Sequence, residues 1–297
     1  MLFIFLMKNL KKIKIFNNFI QCIFNIICPQ CCLFCGEKII LKNNKTQESQ
    51  NLQKFLCQNC QNEIIPIDQA NCCKKCGYPL YQSPLYQQDE NIEINSNFLN
   101  KKYNLCYSCE LAKNCFTIAR SCFQYKTKLR RLLINFKLYF QTESIDFIGL
   151  SLLKVYSSMP HADIVCCIPV TKTKLFFKGY NHASLIASNF YEHLTNQKRT
   201  NKRTTIFLPD MLLKTRSSVQ SKMLSQKERL QKKHNFVINS KYLSNEWRQF
   251  FSKKTILIID DIMTTGATLN TAASVIKASF GKDIKIECLT LARTMLY

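Results

Sequence analysis

The chain of 297 residues carries 42 lysines and arginines against 19 acidic residues, which amounts to a formal net charge of +23 at pH 7. Its hydrophobic fraction of 46% excludes a chain that is disordered throughout, and it predicts a packed core. The excess of positive charge predicts a polyanionic partner such as nucleic acid, a phosphorylated ligand or an anionic membrane surface. A lysine-rich bias that only solvates the surface is an equal alternative.

The first predicted element is an amphipathic N-terminal helix over residues 1–27. Its apolar residues recur at helical spacing: Phe16, Phe19, Ile20, Ile23, Phe24 and Ile27. No uninterrupted apolar run approaches the ~18 residues that a membrane span needs. Lysines follow the first apolar run without the small-residue cleavage site of a signal peptide. We expect this helix to pack on a domain, with peripheral membrane contact as the alternative.

The next segment is rich in cysteine. Of the 17 cysteines, all but three lie in the first 122 residues, and four Cys-x-x-Cys pairs stand out: Cys32/Cys35, Cys57/Cys60, Cys73/Cys76 and Cys106/Cys109. The neighbouring Cys28, Cys31 and Cys72 leave the register of the ligands open. A gap of two residues lets one tight turn aim both thiolates at the same ion, and two pairs complete a tetrahedral zinc site. The sequence therefore predicts a double zinc-ribbon domain over residues 28–115 with one or two structural Zn²⁺ ions.

The spacing leaves the pairing of these units open. The first two pairs and the last two pairs are expected to combine, but an interleaved arrangement is also possible. Free or redox-active thiols and an iron–sulfur cluster are the alternatives to zinc. Because such spacing indicates metal binding rather than a disulfide framework, we expect a reducing compartment and a cytoplasmic location.

From residue 116 onwards, predicted strands alternate with predicted helices. Strands are expected at residues 118–125, 163–170, 205–209, 255–260 and 285–293, and helices at residues 128–140, 181–194 and 268–280. Residues 225–238 are predicted as a helix that runs into a further strand. This alternation predicts an α/β domain over residues 116–297, with a mainly parallel sheet and flanking helices.

The segment ILIIDDIMTTGAT, residues 256–268, carries the strongest functional signal. Asp260 and Asp261 follow a buried strand, and ligands of open α/β sheets bind at that edge. The small, hydroxyl-rich turn before the next helix suits a phosphate dianion; its residues are Thr264, Thr265, Gly266, Ala267 and Thr268. The carboxylates suit sugar hydroxyls or Mg²⁺, so the pattern indicates a ribose 5-phosphate.

Two other interpretations fit this segment less well. An ordinary capped helix after a strand with two surface carboxylates is the less favoured alternative. A Walker B strand is excluded, because the chain contains no Gly-x-x-x-x-Gly-Lys-[Ser/Thr] sequence.

The segment resembles the phosphoribosyl-pyrophosphate signature of type I phosphoribosyltransferases. Four Cys-x-x-Cys units before such a domain resemble the ComF/GntX family of competence-associated, phosphoribosyltransferase-like proteins. PVTKTKLFFKGYNH resembles the pyrophosphate loop of that family, and SSVQSKMLSQKER resembles its mobile segment. The resemblance implies a type I phosphoribosyltransferase-like fold, binding of phosphoribosyl pyrophosphate with Mg²⁺, pentosyl transfer, and a role in DNA uptake during natural transformation.

The resemblance also implies roles for single residues. Asp260 and Asp261 are expected to hold the ribose hydroxyls, directly or through Mg²⁺, and the turn over residues 264–268 the 5′-phosphate. The pyrophosphate contacts and the lid that closes over them are expected from Lys174, Lys178, Gly179, Gln220 and Arg229, with Lys137 as a further candidate. No segment indicates the acceptor.

A non-catalytic adaptor or sensor that binds single-stranded DNA with the same fold is the alternative function. Its partners would include DNA-uptake or recombination proteins. The positive charge between residues 214 and 254 favours it.

Overall fold

The computed structural model describes residues 31–39, 54–80, 104–139, 144–197, 204–215 and 236–295. These residues fall into two compact units, which are divided between Glu63 and Ile64. The predicted helix over residues 1–27 lies outside the described residues, as do Gln220 and Arg229. The predicted domain boundaries at residues 27 and 115 stay predictions.

In the smaller unit, a tight turn is followed by one short helix, α1 (Gln58–Asn62). Cys31 forms an antiparallel bridge with Lys38, and the Cys32 N–H donates to the Glu37 carbonyl over 2.8 Å. The helix begins directly after Cys57.

The larger unit is an α/β domain. Its strands are β1 (Ile118–Gln124), β2 (Ile164–Cys167), β3 (Ile206–Phe207), β4 (Leu212–Lys214), β5 (Phe236–Ile238), β6 (Thr255–Met263) and β7 (Lys285–Arg293). Its helices are α2 (Tyr107–Leu111), α3 (Thr127–Tyr139), α4 (Ile145–Tyr156), α5 (Lys172–Lys178), α6 (His182–Gln197), the 3-10 helix Ser240–Tyr242, α7 (Asn245–Phe251) and α8 (Ala267–Phe280).

Five of the strands form one sheet in the order β1-β7-β6-β2-β3, and every pairing in it is parallel. The remaining two, β4 and β5, form an antiparallel ribbon. The predicted parallel sheet with flanking helices, preceded by a cysteine-rich segment, is therefore confirmed. A parallel sheet needs cover on both faces, and the buried, almost wholly apolar centres of β2 and β6 reflect that requirement.

Alternating side chains on the central strands supply two cores. Ile256 and Ile258 of β6 pack in one core with helices α7 and α8. Leu257 and Ile259 are buried as well and point to the opposite face, where α6 contacts both β2 and β6. On that side α4 contacts β1, β7 and α6.

Five α-helices, one 3-10 helix and one strand in the described residues were not predicted: α1, α2, α4, α5, α7, Ser240–Tyr242 and β4. The helix α4 is buried on most of its circumference, so its sequence lacks the polar stripe of a surface helix. The others have seven residues or fewer, which is too short for a periodic signal. Among the described helices, none has the length and apolar character that crossing a bilayer requires.

Candidate functional site

The C-terminal edge of the sheet opens between β2 and β6. These two strands are neighbours, yet the chain leaves β2 towards β3 on one side and leaves β6 towards β7 on the other. Such a reversal of direction separates the two connections and creates the crevice in which open α/β sheets bind ligands. The predicted ribose-phosphate segment follows this edge of β6.

The two adjacent carboxylates lie within β6 rather than after it. Asp260 is opposite Thr290 of β7, and the pairing continues to Met263, because β7 is equally long. The expectation that the strand ends at Asp260 and Asp261 was therefore wrong, because β6 continues beyond them. Successive strand residues point to opposite faces, so Asp260 and Asp261 diverge across the open edge.

Asp261 is paired with a lysine from the first long helix. The Lys137 Nζ atom of α3 lies 2.5 Å from the Asp261 Oδ2 atom. The Lys137 carbonyl accepts a hydrogen bond from His182 Nε2 at 3.0 Å, which holds the end of α3 at the start of α6. Lys137, which the sequence analysis named as a further candidate for contacting the ligand, therefore lies beside Asp261.

Asp260 is held in an environment that disfavours its charge. Burial, and then the neighbouring charge of Asp261, raise the pKa of Asp260 to about 8. Lys137 and Lys214 act in the opposite direction, and the Asp260 carboxylate accepts the Asp261 N–H over 2.9 Å. Near neutral pH this carboxyl group is therefore largely protonated in the ligand-free protein.

The hydroxyl-rich loop, residues 264–268, turns directly from β6 into α8. Thr264 and Thr265 are exposed, and the Thr265 hydroxyl accepts the Ala267 N–H at 3.3 Å. Gly266 has a φ of +80°, a left-handed conformation that lets the turn close immediately before the helix. The first turn of the 14-residue helix α8 thus lies next to the carboxylates, and its N-terminus favours an anion.

A substitution at this turn has a matched control. A Cβ atom on Gly266 would lie 2.6 Å from Met263 Cε, whereas one on Gly179, whose φ is +77°, would meet nothing within 4 Å. Gly179→Ala is expected to lower the free energy of unfolding by about 1 kcal/mol through backbone strain alone. Gly266→Ala should lower it by about 1 kcal/mol more, because a buried methionine must also move. Urea unfolding measures both values, and equal losses would contradict a tight fit around Gly266.

The predicted pyrophosphate residues are presented on helix α5. Lys174 and Lys178 are exposed, and Gly179 ends the helix in a left-handed conformation. Thr171 caps the helix by accepting the Lys174 N–H, and it also pairs with Lys214 of β4. The helix is therefore attached to the β4–β5 ribbon beside the open edge.

Lys214 was not singled out from the sequence. Burial, and then the charge of Lys174, lower its pKa, while Asp260 acts to raise it. This lysine is therefore close enough to both Lys174 and Asp260 for their charges to act on it. In the sequence, Lys214 stands out only as the residue that ends a short apolar run in a basic stretch. The strand β4 has three residues, which is too few to predict from the sequence where the Lys214 side chain points.

The cysteine pairs form two clusters that could hold metal. The first cysteine cluster consists of Cys32, Cys35, Cys57 and Cys60, and the second consists of Cys73, Cys76, Cys106 and Cys109. Within each cluster, all four sulfurs lie within 4.8 Å of one another. The expected combination of the first two pairs and of the last two pairs is thus what the structure shows.

Both clusters are built in the same way. The Gly36 N–H donates to the Cys32 carbonyl and the Gly77 N–H to the Cys73 carbonyl, each over 2.9 Å, and both glycines have positive φ. The second half of each cluster begins a short helix, since α1 contains Cys60 and α2 contains Cys109. Each cluster therefore joins one tight turn to one helical turn.

The donor set fits a cation that prefers sulfur. Hydrogen bonds from Cys106 and Cys109 lower the pKa of Cys73 far below its usual value, whereas Cys106 and then Cys73 raise the pKa of Cys109. The four sulfurs therefore do not ionise together unless a cation supplies compensating charge. Four thiolates gathered in this way are the donor set that is typical of structural Zn²⁺ sites.

The second cysteine cluster shares a core with the sheet. Its four cysteines are buried, and they pack in the same hydrophobic core as Ile256, Ile258 and Leu269. Gly77 is required there, because a Cβ atom would lie 2.8 Å from the Ala119 carbonyl of β1. The Arg120 guanidinium donates to the carbonyls of Cys73 and Lys74 and fastens the same turn to β1.

No protein-family model matches the chain, and no curated protein sequence matches it. Among solved structures, the chain is similar to a purine phosphoribosyltransferase from Pyrococcus horikoshii Ot3, with 15% identity and a TM-score of 0.26 over 52% of this chain and 83% of that one. It is similar to a hypoxanthine phosphoribosyltransferase from Staphylococcus aureus, with 20% identity and a TM-score of 0.25 over 51% of this chain and 64% of that one. A hypoxanthine-guanine phosphoribosyltransferase from Schistosoma mansoni in complex with IMP matches with 10% identity and a TM-score of 0.23, over 50% of this chain and 61% of that one. The fold assignment rests on the sheet order and register of the chain itself.

Proposed function

We propose that the chain binds a ribose 5-phosphate, in the form of phosphoribosyl pyrophosphate with Mg²⁺, at the open edge between β2 and β6. The observation that carries this proposal is the adjacency of two carboxylates and a hydroxyl-rich helix N-terminus at the reversal point of a parallel sheet. A sugar bearing both hydroxyls and a phosphate matches these two kinds of group at once.

Each part of the ligand has a counterpart in the chain. The hydroxyl-rich loop and the first turn of α8 accept the 5′-phosphate, because N–H groups and a helix N-terminus favour a dianion. Asp260 and Asp261 receive the ribose hydroxyls. Lys174, Lys178 and Lys214 supply positive charge for the pyrophosphate. Lys137 forms an ion pair with Asp261 and thereby partly neutralises the charge of that carboxylate.

The carboxylates also fit a magnesium ion, since Mg²⁺ prefers oxygen ligands and is bound by one or two carboxylates together with substrate phosphates. When bound, the ion would neutralise charge on the departing pyrophosphate. The residues of the chain would orient the sugar and exclude water around it, and pentosyl transfer is the reaction class that follows. We further propose that both cysteine clusters hold structural zinc.

Calorimetric titration with phosphoribosyl pyrophosphate and Mg²⁺ tests the proposal. The native chain should bind the ligand, and the double variant Asp260→Ala/Asp261→Ala should bind it at least about 100-fold more weakly, because hydrogen-bonding charged groups are lost. Asp146→Ala is the matched control, since Asp146 is an exposed residue of α4 that bonds Asn189. Absence of binding to the native chain, or unchanged binding to the double variant, would refute the proposal.

Single-stranded DNA is the second candidate ligand, and helix α5 favours it. Phe176 is 85% exposed and Phe177 is 80% exposed, and the same helix carries Lys172, Lys174 and Lys178. Exposed aromatic rings among cations suit stacked bases and a phosphate backbone. If oligonucleotide binds tightly in the same titration and the sugar phosphate does not, the adaptor function replaces the enzymatic one. A place in DNA uptake rests on the ComF/GntX resemblance alone.

A further inference from the structure

Arg293, the last residue of β7, lies between the second cysteine cluster and the hydroxyl-rich loop. Its Nη1 atom donates to the Cys76 carbonyl over 2.6 Å and to Met263 Sδ over 3.1 Å, and its Nη2 atom lies 3.5 Å from Cys76 Sγ. The guanidinium also stacks over the Tyr78 ring, 5.2 Å from its centroid. One buried side chain thus contacts a cluster cysteine and the residue before the loop.

Met263 carries this contact onward to the loop. Its methyl group lies against Gly266, since a Cβ atom on that glycine would come within 2.6 Å of Met263 Cε. Met263 is 2% exposed, so it has little freedom to move. A shift of the guanidinium would therefore displace the turn that begins α8.

A second contact joins the same two regions. The Cys115 N–H donates to Asn270 Oδ1 over 2.5 Å, and the Asn270 N–H donates to the Gly266 carbonyl. Cys115 follows α2, the helix that contains Cys109. The loop is therefore supported by both halves of the second cysteine cluster.

The buried guanidinium depends on these acceptors. The Arg293 side chain lies in the core, and its Nε atom has no hydrogen-bond partner among the described residues. A buried charge that loses its partners is strongly unfavourable. Any loosening of the turn that holds Cys73 and Cys76 would remove acceptors from Arg293, which would then move and release Met263.

We propose that Arg293 is a positioning residue that couples metal occupancy of the second cysteine cluster to the order of the hydroxyl-rich loop. Without the ion, the sulfurs lose the charge that holds them together, and the loop loses its support. The coupling is reciprocal, so a phosphate ligand on the loop strengthens metal binding by the same factor by which the metal strengthens binding of the ligand. This inference rests on the proposed zinc site and, for the ligand, on the proposed function.

Hydrogen exchange on the full chain tests the coupling without any ligand. The amides of residues 264–268 are followed in zinc-loaded protein and after stripping by a chelator. Stripping is expected to accelerate their exchange by about tenfold or more. In Arg293→Lys and in Met263→Leu, exchange should already be fast in the loaded protein and should change little on stripping. Two variants are needed, because either substitution alone could loosen the loop by disturbing the packing of the core. The same result from both indicates that the contact between Arg293 and Met263 is responsible.

Arg248→Lys is the matched control. Arg248 is an exposed arginine that bonds the Ser279 carbonyl at the other end of α8, so its replacement should leave the zinc dependence of loop exchange intact. Loop exchange that does not respond to stripping overturns the coupling. A loop that responds to stripping in Arg293→Lys as fully as in the native chain also overturns it, because the metal would then act on the loop without this side chain.

Titration of loaded and stripped protein with phosphoribosyl pyrophosphate and Mg²⁺ separates this inference from the proposed function. If the ligand does not bind while zinc still protects the loop, the proposed function fails and the coupling stands. If the ligand binds both forms with equal affinity, the coupling fails and the proposed function stands. Tighter binding to the loaded form, lost in Arg293→Lys, supports both.

Discussion

Replacement of Cys106 by serine is expected to lower the melting temperature of the larger unit by about 10 to 20 °C, since loss of a structural metal costs roughly 4 kcal/mol or more. Cys106 is buried, and its sulfur lies 3.6 Å from that of Cys76 in the second cysteine cluster. Serine offers no thiolate, so the four-sulfur site is incomplete and the metal no longer contributes to folding. Differential scanning calorimetry measures the loss.

The size of this effect follows from the position of the cluster. Its cysteines belong to the same hydrophobic core as the sheet, so loosening them exposes apolar surface of the α/β domain as well. Cys115→Ser is the matched control, because Cys115 is only partly buried and belongs to neither cluster. Metal analysis should find one zinc ion fewer per chain in Cys106→Ser and no change in Cys115→Ser. Equal melting temperatures for the two variants would show that the second cysteine cluster binds no stabilising metal.

The second large effect is a gain in stability from Asp260→Asn that depends on pH. Burial and the neighbouring charge of Asp261 raise the pKa of Asp260 from its ordinary 3.8 to about 8 in the folded chain. Between these values the unfolded chain releases a proton that the folded chain retains, so the native carboxyl group destabilises the fold increasingly as the pH rises. Asparagine lacks this ionisation and still offers an oxygen to the Asp261 N–H. The variant should match the native chain near pH 4, exceed its melting temperature increasingly up to pH 8, and keep a constant advantage above that.

Glu287→Gln gives the comparison for this pH profile. Glu287 is 1% exposed in β7, and burial raises its pKa to about 7. The gain in melting temperature from Glu287→Gln should begin near pH 4.5, the ordinary pKa of this group, and level off near pH 7. The affinity for phosphoribosyl pyrophosphate should not change. Asp260→Asn should instead weaken that binding. A gain from Asp260→Asn that is independent of pH would show that burial does not shift its pKa.

Much of the local chemistry could be predicted from contiguous residues. The turn of Cys73 and Cys76 requires a residue of positive φ, and Gly77 follows them directly. The strand β6, the loop after it and helix α8 are also encoded in one uninterrupted segment. The periodicity of the apolar residues, the small residues and the hydroxyl groups of such a segment indicate a strand, a turn and a helix in that order.

The structure differed from the sequence-based expectations at short elements and at buried elements. β6 extends beyond Asp261 because its neighbour β7 supplies partners as far as Arg293, and no residue of β6 alone reveals that length. Helix α4 is covered on most sides, so its composition follows from the packing around it rather than from a helical stripe.

The sequence by itself determined the kinds of group that this protein uses: paired cysteines, adjacent carboxylates and a hydroxyl-rich turn, each formed by neighbours along the chain. Only the tertiary structure decided which distant groups act on them. Lys137 reaches Asp261 from another helix, and Arg293 joins Cys76 to Met263 across 217 and 30 positions of sequence. Contacts between distant segments depend on how the sheet and helices pack, and this packing cannot be predicted from the spacing of side chains along one segment.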